Sequence, residues 1–231
     1  MKWRSLEESG EETETRSLAE IFAERKELIG KYVSPEIQAI HERAIVEIRD
    51  SGITRRMLTL GDKAPDLELP DQNGRQVRIA DLLEGGKLAI CFFRGRWCPF
   101  CVGQMEAMNA VYSQIQRSGA SLVAISPQTV HQSDLMADQH RLQFPLLSDA
   151  GNRIVRQFGV VYRVPEYQQE IYQRAFVNLP FVNGDSSWEL PIPATYVIDQ
   201  DFTILYAAAK PDYTERPEPN EILRIVAAIR T

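Results

Sequence analysis

Two cysteines three positions apart, Cys98 and Cys101, lie in the run Arg94-Gly95-Arg96-Trp97-Cys98-Pro99-Phe100-Cys101. A sulfur attacks as the thiolate, and a helix N-terminus favours that form through its unpaired amides and the positive end of its dipole. Pro99 suits a first helical turn, where a missing N–H costs no bond. This placement predicts Cys98 as the exposed, reactive sulfur. Cys101, on the same helix face, becomes the sheltered partner within reach of a disulfide. Arg94 and Arg96 add positive potential if their side chains turn inward. The competing readings are a pair of buried structural thiols or half of a zinc site. Zinc needs a second pair of ligands, and the remaining cysteine, Cys91, sits inside an apolar strand and reads as an inert core thiol. A redox dithiol that needs no metal or flavin is the reading the pattern favours.

Positioning such a pair requires a strand to deliver it and a helix to receive it. Residues 87–93 form a nearly continuous apolar run, suited to a strand covered on both faces. Val102 to Gln116 continues as a helix with Met105, Met108, Val111, Tyr112 and Ile115 on one side, and the methionines read as core. Ala120–Ser126 is a second buried strand, which completes a βαβ unit. Upstream, Asp66–Leu69 and Gln76–Ile79 flank Asp71-Gln72-Asn73-Gly74 as a hairpin. Downstream come a helix near Ser133–Leu142, a short helical piece ending at Phe158-Gly159, a strand at Tyr196–Asp199 with a hairpin partner at Thr203–Ala209, and a last helix from Glu221 to Arg230. The stretch from Val160 to Leu190, with Tyr162, Tyr167, Tyr172, Phe176, Phe181 and Trp188, has no clear periodicity. It either walls a cleft or forms a subunit contact.

Ahead of this lie a polar tail, Met1–Arg16, and two helices. Ser17 with Glu20 forms a capping box, and Ser34-Pro35-Glu36 starts the second helix. The chain divides into residues 1–57, a tail and helical extension, and residues 58–231, the chemical unit. The extension reads as a packing or homodimerisation arm, with His41 a satisfied, half-buried histidine. His131 and His140 read as solvated.

The bulk numbers are those of a globular protein: 231 residues, 44% hydrophobic and 25% charged, with a net charge of -6. That balance argues against nucleic acid as a partner, since phosphate binding needs a basic face. No apolar stretch is long enough for a membrane span. The N-terminus lacks an apolar leader core, which with three cysteines predicts a reducing, cytoplasmic setting.

The frame resembles the peroxiredoxin (alkyl hydroperoxide reductase and thiol-specific antioxidant) branch of the thioredoxin superfamily. The resemblance rests on Gly61-Asp62-Lys63-Ala64-Pro65-Asp66-Leu67-Glu68-Leu69, the Asn73-Gly74 hairpin, the strand Leu88–Phe93 and Pro193-Ala194-Thr195-Tyr196-Val197-Ile198-Asp199. It covers about three quarters of the chain, from Leu60 onward. It implies an α/β thioredoxin-like fold, a central mixed β-sheet flanked by helices, with Cys98 at the peroxide-reacting position. Peroxiredoxins place a proline and a hydroxyl where this chain has Cys91 and Gly95, and an arginine near Pro193. Pro193 and Trp97 are similar instead to the cis-proline and tryptophan of thioredoxins.

Two enzymatic expectations follow from the resemblance, and a third reading makes the protein a non-enzymatic redox sensor. In the first, Cys98 reduces a hydroperoxide and passes through a sulfenic acid resolved by Cys101, with recycling by thioredoxin or a glutathione-type thiol. In the second, the same pair reduces protein or small-molecule disulfides. Arg94, Arg96, Trp97, Pro99 and Pro193 are the supporting residues.

Overall fold

A computed structural model describes residues 16–228. The polar tail before Arg16 and the end of the last expected helix lie outside these residues. In order, the elements are α1 (Leu18–Tyr32), α2 (Pro35–Asp50), β1 (Glu68–Pro70), β2 (Gln76–Arg78), α3 (Ile79–Glu84), β3 (Leu88–Phe92), α4 (Pro99–Arg117), β4 (Ser121–Ser126), α5 (Val130–Gln139) and β5 (Leu146–Ser148). Then come β6 (Val161–Arg163), α6 (Glu166–Arg174), α7 (Leu179–Asn183), β7 (Glu189–Pro191), β8 (Ala194–Ile198), β9 (Ile204–Ala209) and α8 (Pro219–Ala227).

Five strands form the central sheet in the order β5-β4-β3-β8-β9. β3 runs parallel to β4 and antiparallel to β8, so the sheet is mixed. All five residues of β3 are buried, which explains why its sequence shows no polar alternation. Its side chains alternate between two cores. Leu88, Ile90 and Phe92 join one that holds Phe158, Tyr162 and Tyr172. Ala89, Cys91 and Phe93 join another that holds Met105, Met108, Cys98 and Cys101. The β1–β2 hairpin forms as expected, with Asp71 Oδ1 accepting from the amides of Asn73 and Arg75 at 2.8 and 2.9 Å.

The helical extension is part of these cores. Leu18 and Phe22 of α1 pack with Phe100, whose ring stands edge-on to Phe22 at 5.1 Å. The Ser17–Glu20 capping box is present, and the first two amides of α1 also receive the carboxylate of Glu218, both at 2.9 Å. Ile48 of α2 enters the opposite core.

Two histidines differ in kind. His140 is not solvated: Nδ1 lies 3.0 Å from Glu106 Oε1, and both side chains are largely covered where α5 meets α4. His131 is exposed, as expected.

Candidate active site

Cys98 is the N-cap residue of α4, and Cys101 lies in its first turn. Phe93 leaves β3 by bonding its amide to Ile125 O at 3.0 Å, and the chain then turns through Arg94 and Gly95. Gly95 has φ +145°, and a Cβ there would stand 2.6 Å from Trp97 Nε1. The tryptophan therefore occupies the space that the peroxiredoxin hydroxyl would need.

Both sulfurs are buried: Cys98 is 2% exposed and Cys101 0%. The expectation of an exposed Cys98 is thus corrected, and the cause is the cover given by α1 and the aromatic segment. Arg25 of α1 is itself buried, and its Nη1 donates to the carbonyl of Pro99. Gly103 permits this approach, since a Cβ there would meet Arg25 Nη1 at 2.3 Å.

Two guanidinium groups act on the dithiol. Arg94 turns fully inward, with Cζ 4.0 Å from the Tyr213 ring centroid, 4.8 Å from Trp97 and 5.8 Å from Tyr172. Its Nη2 donates to the Tyr172 hydroxyl. Arg216 Nη2 lies 3.4 Å from Cys101 Sγ, while its Nε donates to Gln104 Oε1 at 2.7 Å. Gln104 in turn donates to Thr195 Oγ1 at 3.3 Å. Arg96, by contrast, points away. Its amide and Nη1 bond Gln128 and Gln132, so it adds no contact to either sulfur.

The pair holds one thiolate. Burial pushes Cys101 up, but the hydrogen bond from Cys98 and the charges of Arg216 and Arg94 outweigh it and bring Cys101 down to about 5. The hydrogen bond to Cys101, followed by burial and the Cys101 charge, drives Cys98 well above its ordinary value. The two directions are opposite: the cations and the shared hydrogen bond favour charge on the inner sulfur and a proton on Cys98. Cys91 is pushed up to about 12 by burial, which fits an inert core thiol.

Sequence reasoning missed Arg216, Tyr162, Tyr172, Tyr213 and Arg25. Each reaches the site from a distant element, and no local spacing marks them. Pro193 is buried before β8, but no described peptide bond is cis, so the thioredoxin-type cis-proline is absent. The reason is local: the chain passes from β7 straight into β8, whose Ala194 pairs with Phe92, and needs no reversal there. His41 is half-buried and satisfied, its Nδ1 lying 2.9 Å from the Tyr213 hydroxyl and 3.1 Å from Gln168 Nε2.

A mixed sheet of this order, with a dithiol at the start of the helix after β3, defines a thioredoxin-like fold. The chain belongs to the AhpC/TSA family, whose model matches residues 60–207. It is similar to the putative peroxiredoxin Rv1608c of Mycobacterium tuberculosis, 34% identical over 100 residues, and to peroxiredoxin Bcp of Escherichia coli, 31% over 103. These matches span 43% and 45% of this chain and 65% of each relative. Among solved structures it resembles peroxidoxin BcpB of M. tuberculosis, with TM-score 0.59 and 26% identity over 75% of this chain and 99% of that one.

Proposed function

We propose that the protein is a thiol peroxidase that reduces hydroperoxides through Cys98 and Cys101. The observation that carries this reading is a dithiol at a helix start, with Arg216 on Cys101 and Arg94 turned inward beside it, in an AhpC/TSA frame. The Cys98 proton passes along the existing hydrogen bond to Cys101, leaving a Cys98 thiolate at the start of α4. That thiolate attacks the peroxide oxygen and becomes a sulfenic acid as the O–O bond breaks. Cys101, now a thiol, condenses with it, forming the disulfide and releasing water. A thioredoxin-type dithiol, or two glutathione-type thiols in turn, then reopens the disulfide by exchange and leaves as the oxidised disulfide.

Residues 58–231 are assigned this chemistry, α1 of the preceding arm covers it, and a reducing cytoplasm is the setting that suits the cycle. No described helix is long and apolar enough to cross a membrane, and no cluster of metal-binding side chains occurs among the described residues. The disulfide-reductase expectation leaned on a cis Pro193 and loses that support.

Stopped-flow mixing of reduced protein with hydrogen peroxide tests the reading. The expected result is a rate far above that of a free thiolate, abolished by Cys98→Ser, with a sulfenic acid trapped in Cys101→Ser. A rate no faster than a free thiolate refutes it.

A further inference from the structure

Four buried polar atoms with no hydrogen-bond partner among the described residues belong to the cluster around Arg94: Arg94 Nε, Trp97 Nε1, the Tyr162 hydroxyl and Gln168 Oε1. Buried polar groups left unpaired are costly, and their gathering in one place marks a site built for something polar. Arg94 is 2% exposed and Tyr162 8%. Trp97 closes against Arg94 and Tyr172, and Gln168 holds Tyr213, whose ring lies on the Arg94 guanidinium. Tyr162 packs in the same core as Tyr172 and Tyr213, with Trp97 against it, and its hydroxyl comes within reach of the Arg94 guanidinium. Three of the four atoms are hydrogen-bond donors beside a fixed positive charge, and the fourth is an acceptor. A hydroperoxide matches this set: two oxygens that accept, and one O–H that donates.

We propose that this cluster holds the hydroperoxide, and that Tyr162 is the acid that protonates the departing oxygen. The idea rests on the peroxidase reading above. As the Cys98 thiolate forms its S–O bond, the O–O bond breaks and the outer fragment leaves as an alkoxide or hydroxide. The Tyr162 O–H gives that fragment its proton and forms an alcohol or water. The tyrosinate left beside Arg94 recovers a proton from water after the disulfide has closed. Arg94 Nε–H and Trp97 Nε1–H fix the two oxygens, while Gln168 Oε1 accepts the peroxide O–H. The cluster thereby replaces the hydroxyl that Gly95 cannot supply.

The test compares two oxidants that differ in whether the leaving group needs a proton, each read as its own ratio of variant to wild type. Hydrogen peroxide expels hydroxide; peracetic acid expels acetate, which leaves without one. Tyr162→Phe is expected to slow the reaction with hydrogen peroxide by about 100-fold, the scale of general acid catalysis, and that with peracetic acid by less than about threefold. Trp97→Phe removes a donor that holds substrate, and is expected to raise the peroxide concentration needed for half-maximal rate with both oxidants. Equal losses on the two oxidants in Tyr162→Phe, or no loss on either, overturn the assignment. So does an unchanged concentration dependence in Trp97→Phe. A wild-type protein inert to both oxidants would instead bring down the peroxidase reading itself.

Discussion

Nη1 of Arg25, in the middle of α1, donates to the carbonyl of Pro99, the first residue of the helix that carries both cysteines. An element that looked like a packing arm thus touches the backbone of the reactive turn. Arg25 also lies over the Phe22 ring, with Cζ 5.6 Å from the centroid.

Arg25→Ala is therefore expected to cost about 2 kcal/mol, the scale of a lost hydrogen bond from a charged group. The readout is a lower denaturation midpoint with unchanged slope. Because the arm covers the sulfurs, the same variant should label faster with an alkylating reagent at Cys98.

Gly95 offers a second test. Gly95→Thr restores the hydroxyl that peroxiredoxins carry, yet it should not raise activity. A side chain at φ +145° with its Cβ 2.6 Å from Trp97 Nε1 must push the indole away. Strain and overpacking of this kind cost about 2 kcal/mol or more, so Tm should fall by roughly 5 °C for a chain of this size. A faster peroxide reaction would contradict the finding that Trp97 fills the hydroxyl's place.

The thiol titration should show one group only. Thiolate absorbance near 240 nm is expected to rise with a midpoint at about 5, as Arg216 and Arg94 favour the charge on Cys101, with no second step until strongly alkaline pH. Arg216→Met removes one of those charges and should move the midpoint upward. A midpoint left in place would show that Arg216 does not act on the sulfur.

His41 supplies a pH dependence of stability. Burial, and then the Arg94 charge, hold it at about 4 in the folded protein, against 6.5 when free. Tyr172 and Tyr213 pack on the same ring, and among the described residues no acid contributes to the shift. Above pH 6.5 the imidazole is neutral in both states and stability is full. Between 6.5 and 4 only the unfolded chain takes up the proton, so stability falls with pH, by up to about 3 kcal/mol, and levels off below 4. His41→Gln should flatten this part of the curve in urea titrations at stepped pH.

The sequence made the frame legible and left the walls of the site obscure. β3, α4 and β4 were readable because a buried strand must be apolar throughout, and a helix that buries one face must repeat. The β1–β2 turn was readable because Asn73-Gly74 suits few other conformations. Arg216 was not, since it acts through one 3.4 Å contact with a sulfur over a hundred residues earlier. In the sequence Tyr162 and Tyr172 read as bulky groups in need of burial, but their hydroxyls face a charge that only the folded chain brings near. The depth of Cys98 was misjudged for a related reason. Position within a helix sets which way a side chain points, whereas exposure depends on what other elements lay over it, here α1 and its Arg25.

Glu218 does two jobs at once. It is the N-cap residue of α8, and its carboxylate sits on the opening amides of α1. The earliest and latest helices of the described chain are thus latched by one acidic side chain. Opening of α1 is then coupled to fraying at the start of α8, and their amides should exchange with solvent as a single unit. A disturbance to α8 would reach the dithiol by way of Arg25, from the far end of the chain.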